Sequence, residues 1–533
     1  MPDLLVTGDI HTLAPPHVMP PVVEAVGVRD GVIVNWGSPG WVRAELGGRV
    51  HEIALPGTVL PGLTDSHVHV LWAGRRRDRC DLDGVGSVQE IVRRLAAHAR
   101  RQGGGWVEAD LNAEAFDLAE RRLPTRHDLD RACPGGHVVL DRKGHDVIVS
   151  TAVLHRAGIT ATTRDPEGGR IVRDPSGSPT GLLIEHPAAA LVRRVVPAPD
   201  LVTRMRWIEL GQRELLGLGV TTAMDPAVAL PDLEAWAQAA REGRLRQRAV
   251  VMPLGGDDVT PEQVAAAAGP LAAIAPARLR VGPTKLFLDG GGSLGTAWRS
   301  VPWPGTKNDH GNQSITLDTL RAHCAAGLRG HGVGVHAVGD AAIDAVLDVL
   351  EVLNWAGDQP YRGTGFHLIH GYLTPSRSAL ARAARLGVAL SAHPALQWSF
   401  GTSLIGRLGE DEAAGANPLR AWLDAGVLVG GGSDGPGGPM SPLFGMWQAR
   451  TRMVQGRDEP LGPAQAITPR QALTMFTTGA AAITGQPGHL YPGGPADLTA
   501  VDVDPLLCDD EMLRRARVLA TVVGGQVAHV DIR

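Results

Sequence analysis

The sequence predicts an α/β protein built around a TIM (β/α)8 barrel, with a β-sandwich formed by both termini and an α/β insertion after the first barrel strand. Three observations predict this fold. The 533-residue chain is too long for one ordinary core and long enough for a large barrel with an attached domain. Its two ends read as short strands. Between them, short apolar runs alternate with helical patterns, which is typical of βα units on a parallel sheet.

The apolar runs of the middle region are expected to be the barrel strands. We find eight such runs, the number of βα units in a TIM barrel, and therefore expect the barrel to comprise residues 58–72 and 201–487. The runs cover residues 58–69, 219–226, 248–253, 281–290, 332–340, 365–372, 387–394 and 426–436.

Both ends of the chain show β patterning. In the N-terminal segment, alternating apolar residues flank the turn Arg29-Asp30-Gly31, which indicates a hairpin sheet. The C-terminal segment repeats this style in HLYPGGPADLTAVDVDP and ARVLATVVGGQVAHVDIR. We expect residues 1–57 and 488–533 to pair into one small β-sandwich.

The spacing of the runs is even except after the first, where about 150 residues intervene. This stretch has helical and strand patterns of its own, so residues 73–200 are expected to form an inserted α/β subdomain. In a TIM barrel the βα loops carry the active site. We therefore expect the insertion to shape the substrate pocket.

Composition excludes several classes of partner. Lysine and arginine total 51 and aspartate and glutamate 56, a net charge of −5 without a long basic block, which argues against nucleic acid or a membrane as partner. The first residues lack the pattern of a signal peptide. The four scattered cysteines form no zinc or disulfide framework. We expect a cytoplasmic protein that acts on a small molecule, and a homodimer is one assembly left open.

Metal-ligating residue types collect at the ends of the predicted strands. The carboxyl ends of barrel strands form one mouth, and His67 and His69 point to the same side because strand side chains alternate. A lone histidine at a strand end is more often a packing residue, but here the same residue type recurs at one topological position. Imidazole and carboxylate suit zinc or a similar divalent ion. The residues at these ends are Asp65, His67, His69, Lys285, Asp289, His336, His370, His393 and Asp434.

Motifs along the whole chain resemble the amidohydrolase superfamily of metal-dependent TIM-barrel hydrolases, and within it the amidohydrolase-3 branch that includes N-substituted formamide deformylases. The resemblance implies the composite architecture described above. It also implies a set of metal ligands by position: His67, His69, His336, His370 and Asp434. The motifs are PGLTDSHVH (61–69), LPTRHDLD (123–130), KGH (143–145), GSPTGLLIE (177–185), GVTTAMD (219–225), TKLFLDGGGSLGTA (284–297), HAVGDAAID (336–344), GSDGP (432–436) and YPGGPADLTAVD (491–502).

The resemblance also implies a role for a lysine. Binuclear members often bridge two metals with a carboxylated lysine, and Lys285 stands at the matching position as one of only three lysines, with Lys143 and Lys307. Arginine could not replace it, because a guanidinium stays protonated. The alternatives are an ordinary lysine or a charged partner for Asp289. We expect one or two divalent metals per chain, with zinc as the expected ion.

Four residues are expected to touch the substrate: His145, Asp289, His393 and Trp298. His145 is the candidate for orienting the substrate carbonyl, with a structural role in its turn as the alternative. Trp298 is expected to line an apolar pocket or else to pack within its loop. The chain departs from the branch at Lys143, at His393-Pro394 and in ADLNAEAF (109–116), so the substrate is not transferred from the resemblance.

The function predicted is metal-dependent hydrolysis of a non-peptide C–N bond in an amide, formamide or cyclic amide. Asp434 is the candidate catalytic acid and base, taking a proton from the attacking water and giving it to the departing amine. Two alternatives remain: a mononuclear deaminase, lyase or isomerase on the same scaffold, and a non-catalytic regulatory protein. The matches to GxGxxG at 290–295 and to GxSxG at 431–435 are rejected, because prolines prevent the helix that each motif requires.

Overall fold

The computed structural model describes residues 3–103, 105–111, 113, 115, 117–142, 146–166, 169–184, 186–274, 277–355 and 365–531. The predicted site residue His145, and Lys143 beside it, lie outside the described residues. Two compact units are present, one comprising Met1–Leu71 with Gly211–Arg533 and the other Trp72–Leu210.

The strands, in chain order, are β1 (Asp3–His11), β2 (Val22–Arg29), β3 (Val32–Gly37), β4 (Val50–Pro61), β5 (Leu63–Asp65), β6 (Trp106–Asp110), β7 (His137–Arg142), β8 (Asp146–Val149), β9 (Arg170–Arg173), β10 (Pro179–Ile184), β11 (Val220–Val228), β12 (Arg248–Pro253), β13 (Leu279–Val281), β14 (Thr284–Phe287), β15 (Val333–Ala337), β16 (His367–His370), β17 (Ala389–Ala392), β18 (Val429–Gly431), β19 (Leu498–Val501), β20 (Val518–Val523) and β21 (Gln526–Val530).

The α-helices are α1 (Pro39–Leu46), α2 (Val70–Asp78), α3 (Val88–Gln102), α4 (Arg126–Ala132), α5 (Thr151–Arg156), α6 (His186–Arg193), α7 (Leu201–Gly217), α8 (Leu230–Arg241), α9 (Pro261–Ala268), α10 (Leu317–Gly327), α11 (Asp340–Val352), α12 (Arg377–Arg385), α13 (Pro394–Leu408), α14 (Glu410–Ala414), α15 (Leu419–Asp424), α16 (Pro442–Thr451), α17 (Pro469–Thr474), α18 (Ala480–Thr484) and α19 (Asp510–Arg515).

Strands from both termini lie in one seven-stranded sheet, in the order β21-β20-β19-β4-β1-β2-β3. The two ends join where β19 pairs antiparallel with β4, with Leu498 opposite Pro61. Apolar residues of β1, β2, β4, β19 and β20 pack into one buried cluster, which accounts for the alternating pattern at both ends. The joint sheet is therefore observed, while its description as a sandwich stays a prediction.

Two parallel sheets carry the predicted barrel strands. Their orders are β13-β12-β11-β5 and β14-β15-β16-β17-β18, and every pairing in them is parallel. Each of the eight predicted runs contributes to a strand. The fourth run is divided between β13 and β14 at Gly282-Pro283, because proline has no backbone N–H to donate.

Backbone hydrogen bonds link the two parallel sheets at two places, one after β12 and one after β5. The N–H of Gly255 donates to the carbonyl of Lys285 over 2.9 Å, and the N–H of Ser66 donates to the carbonyl of Gly431 over 3.0 Å. The carboxyl ends of β5, β14, β15, β16 and β18 carry the predicted metal ligands, and the end of β17 carries His393, predicted to touch the substrate. These strands are the framework on which the candidate site is built.

The second unit contains a five-stranded mixed sheet in the order β6-β7-β8-β10-β9. Helix α3 begins after Ser87, whose hydroxyl accepts the N–H of Glu90, an N-cap interaction typically worth about 1 kcal/mol. Its apolar face packs on the sheet through Ile91 and Leu95, which are fully buried. Among the described residues, no helix has the length and apolar character needed to cross a membrane.

Candidate metal centre

The first part of the site follows β5, where the chain carries His67 and His69. Asp65, at the end of β5, is fully buried and accepts the N–H of His67 over 3.0 Å and the N–H of Ser433 over 3.1 Å. Burial raises the pKa of this carboxyl to about 7, against the opposing effect of these donors. Asp65 therefore ties the end of β5 to the loop after β18, which carries Asp434.

Asp434 meets both histidines of the HxH pair. Its Oδ1 lies 3.4 Å from the Nε2 of His67 and 3.4 Å from the Nε2 of His69. The three candidate ligand atoms all lie within 4.8 Å of one another. His67 is buried, while 20% of the Asp434 side chain is exposed.

A second group shares the same carboxylate. His370 and His393 join Asp434 in a set whose ligand atoms also lie within 4.8 Å of one another. The ring of His336 stands next to them, with its centroid 4.4 Å from that of His370. Backbone φ is positive at His370 (79°) and Asp434 (53°), a conformation that non-glycine residues seldom adopt and that concentrates at functional sites.

The ionisation of these groups fits metal ligation. Burial, followed by the charge of nearby Lys285, lowers the pKa of His67 well below its usual value and that of His336 to about 3. The pKa of His370 is also lowered well below its usual value, chiefly by burial. Burial favours protonation of Asp434, but hydrogen bonds from His67 and His69 outweigh it and hold the pKa of that carboxyl low. Neutral imidazoles and a carboxylate are the forms that bind zinc-like ions.

Lys285 occupies the interior beneath this cluster. The side chain is fully buried, and its Nζ has no hydrogen-bond partner among the described residues. The Nζ lies 4.5 Å from the ring centroid of Phe287. Burial lowers the pKa of this amine to about 7, so a large fraction is uncharged at neutral pH. A buried amine without a polar partner is costly, which makes this lysine stand out as a functional candidate.

Asp289 is surrounded by backbone donors. Its carboxylate accepts the N–H groups of Trp298, Val338 and Gly339 over 3.0, 3.0 and 2.8 Å. The Nε2 of His336 lies 3.6 Å from its Oδ1. The carboxylate thus connects the loop after β14 to the end of β15. Its predicted contact with the substrate stays a prediction.

Trp298 is half-buried and packs against the main apolar cluster of its unit. This contact matches the packing alternative in the sequence, and its role in lining the pocket stays a prediction.

The structure thus brings together His67, His69, His336, His370, His393 and Asp434, with Lys285 and Asp289 buried beside them.

Sequence reasoning missed two features of the site. The first is the clamp formed by Asp65, which the sequence signals by placing a carboxylate two residues before His67. The second is a chain of hydroxyls: the Oγ of Ser66 lies 2.8 Å from that of Ser391, which lies 3.4 Å from the Nε2 of His393. A serine has no distinctive spacing, so only the approach of β5 and β17 could reveal this chain.

Known proteins share this architecture. Residues 56–529 match the model of the amidohydrolase family, Amidohydro_3. N-substituted formamide deformylase of Arthrobacter pascens is 30% identical over 534 residues, covering 94% of each chain. The crystal structure of an uncharacterized metal-dependent hydrolase from Pyrococcus furiosus superposes with a TM-score of 0.75 at 25% identity, covering 95% of this chain and 100% of the other. Atrazine chlorohydrolase TrzN from Arthrobacter aurescens TC1, crystallised with zinc, shares the fold at a TM-score of 0.54 and 17% identity, with 99% and 97% covered.

Proposed function

The chain belongs to the amidohydrolase family and is an enzyme of carbon–nitrogen bonds other than peptide bonds; from this premise we propose that it is a metal-dependent hydrolase of an amide, formamide or cyclic amide. The observation that carries the proposal is the convergence of four histidines on the carboxylate of Asp434, in two overlapping groups of candidate ligands: His67 and His69 with Asp434, and His370 and His393 with Asp434. Packing alone does not require neutral imidazoles to surround an ionised carboxylate at one end of a parallel sheet.

His67, His69, His336, His370 and Asp434 would hold one or two divalent ions. Zinc is the proposed ion because the donors are nitrogen and oxygen without a thiolate. When bound, such an ion lowers the pKa of water to about 7 and polarises a carbonyl. The low pKa of Asp434 supports its part as an anionic ligand.

Asp434 is also the proposed proton carrier. Its carboxylate is ionised and its side chain is partly exposed, so it can accept a proton from the attacking water as the O–C bond forms. It then delivers that proton to the nitrogen as the C–N bond breaks, which lets the product leave as a neutral amine. His145 stays the candidate for holding the substrate carbonyl, and Trp298 for lining the pocket.

Carboxylation of Lys285 is part of the proposal. A neutral amine attacks carbon dioxide: the N–C bond forms as one C=O π bond opens, the nitrogen releases one proton, and the resulting carbamate shares one negative charge between its two oxygens. The lowered pKa of Lys285 and its lack of a hydrogen-bond partner among the described residues support this chemistry. A carbamate would also give the buried side chain the charge needed to join two cations.

We propose a closed (β/α)8 barrel over residues 58–72 and 201–487, on the support of the two backbone hydrogen bonds that link the parallel sheets after β12 and after β5. The β-sandwich of 1–57 and 488–533, and the role of the inserted subdomain 73–200 in shaping the pocket, belong to the same proposal.

The test is hydrolysis of a panel of N-substituted formamides, amides and cyclic amides, followed by detection of the released amine. We expect turnover that disappears when metal is stripped with a chelator and returns with zinc. Asp434→Asn, which keeps the shape but not the charge, should abolish turnover. Metal-dependent elimination or deamination in the absence of amide hydrolysis would overturn the proposal.

A further inference from the structure

We propose that His393, which the sequence assigned to the substrate, is a further metal ligand and that Ser391 and Ser66 hold its ring in the ligating tautomer. This inference rests on the proposed function for the presence of a metal. It assigns to β17 a ligand beyond those implied by the family resemblance. His393 is one of the positions at which the sequence departs from the branch that it resembles, so the assignment concerns a feature of this chain.

First, a ring nitrogen of His393 lies close to a ring nitrogen of His370. The Nδ1 of His393 lies 3.0 Å from the Nδ1 of His370, and both residues belong to the group completed by Asp434. Two nitrogens bound to one tetrahedral zinc lie ~3.3 Å apart, because each Zn–N bond is about 2.0–2.1 Å. The two rings therefore already have nearly the separation that a shared ion requires.

The second argument is the tautomer. The Nε2 of His393 lies 3.4 Å from the Oγ of Ser391, which lies 2.8 Å from the Oγ of Ser66. We assign the protons so that Ser391 donates to Ser66 and accepts the N–H of His393, which both distances allow. The proton of the ring then resides on Nε2 and the lone pair on Nδ1, as is usual when the second nitrogen of a ligating histidine is hydrogen-bonded.

The third argument is burial. His393 is completely buried (0% exposed), whereas a side chain that recognises substrate needs an accessible polar atom. Its ring is also confined from one side, because a Cβ placed on Gly432 would lie 3.1 Å from the Cδ2 of His393. The Nε2 of this buried ring lies near the hydroxyl of Ser391, so its Nδ1, beside His370, is the nitrogen that can bind a metal in the cluster.

The experiment measures cobalt(II) affinity of the metal-stripped full chain by titration in competition with a chelator, followed by the visible absorption of bound cobalt. His393→Gln and Ser391→Ala are compared with the wild type. His323→Gln is the matched control, because His323 is a buried histidine on α10 whose Nε2 lies 3.0 Å from the carbonyl oxygen of Val259. Circular dichroism of each metal-free variant establishes that it is folded.

We expect His393→Gln to lower the affinity for one equivalent of cobalt by more than about 100-fold and to change the absorption bands of the bound cobalt. Ser391→Ala should weaken the same equivalent by about 10–100-fold, the usual effect of losing a partner behind a ligand. His323→Gln should bind as the wild type does. Ser391→Ala keeps His393 in place, so it tests the proposal even if His393→Gln does not fold.

Wild-type affinity and spectrum in both His393→Gln and Ser391→Ala would overturn the inference and leave the proposed function intact. Cobalt binding that depends on His393, in a protein that hydrolyses no C–N bond, would support the inference and refute the proposed function. A wild-type chain that binds no cobalt would overturn both.

Discussion

Replacing Asp289 with asparagine distinguishes a backbone clamp from a substrate contact. The Oδ2 of Asp289 accepts the N–H groups of Trp298 and Gly339, and its Oδ1 accepts the N–H of Val338. Asparagine retains one acceptor oxygen and places an NH2 group at the other position. In the better of the two orientations of the asparagine amide, its oxygen still accepts the N–H groups of Trp298 and Gly339. The N–H of Val338 then faces the NH2 group, which is also a donor.

The cost follows from this loss. A hydrogen bond to a charged group contributes about 1.5–3 kcal/mol, and a buried donor left without a partner costs about 1–3 kcal/mol, two descriptions of one loss that overlap. We therefore expect a destabilisation of about 2–4 kcal/mol. With an unfolding entropy of about 2.1 cal/mol/K per residue, the unit that contains Asp289 should melt about 2–5 °C lower.

The assay is thermal unfolding of the metal-free chain at pH 8, followed by circular dichroism. Burial raises the pKa of Asp289 to about 7, against the opposing effect of the backbone donors, so at pH 8 most of this carboxyl is ionised. Asp497→Asn is the matched control. Asp497 is another buried aspartate, paired with Arg248 and with the N–H of Gly524. The Asp497→Asn variant should have a lower melting temperature and an unchanged KM.

An unchanged melting temperature in Asp289→Asn, together with an increased KM, would refute this reasoning. That outcome would instead support the contact between Asp289 and the substrate that the sequence predicts.

Three further changes test other parts of the site. Lys285→Arg should lose about one metal equivalent by elemental analysis, because a guanidinium cannot form a carbamate; unchanged metal content would exclude the bridge. Burial raises the pKa of Asp225 to about 8, so the folded chain keeps a proton that the unfolded chain releases above about pH 4. Stability should therefore fall as the pH rises from about 4 to 8, and Asp225→Asn should flatten that fall in melting curves; an identical slope would argue against this titration. In Gly432→Ala the new Cβ would lie 2.9 Å from the Cβ of His67 and 3.1 Å from the Cδ2 of His393. We expect about 1–3 kcal/mol of destabilisation and weaker metal binding, and a variant that melts and binds metal as the wild type does would contradict the packing described.

The strands and the polar residues at their carboxyl ends could be predicted because both depend on local pattern, and the resemblance to the family then implied which of these residues bind metal. Each apolar run is long enough to identify a strand, and parallel strands bring their carboxyl ends to one side. His67, Lys285, His336, His370 and Asp434 could therefore be assigned to one site from their positions in separate runs. Residues 1–57 and the C-terminal segment were recognised as β-rich for the same reason.

Other features depend on long-range contacts that no local pattern encodes. The clamp of Asp289 requires backbone donors at Trp298 and beyond β15, and no spacing rule links a carboxylate to distant N–H groups. The neighbours of His393 come from the ends of β5 and β16, so the sequence by itself does not reveal that this ring is buried. The sequence shows the proline at position 283, but only the strand pairing shows that β13 and β14, on either side of it, belong to different sheets.

Metal-dependent C–N hydrolysis is tested most directly by measuring the metal content of protein purified without chelator, together with amine release from the amide panel before stripping, after stripping and after reloading with zinc. We expect one or two equivalents of a divalent metal and turnover that falls and recovers with that metal. A chain that takes up no metal even with zinc and bicarbonate, or one whose C–N hydrolysis is unaffected by stripping, would contradict this expectation.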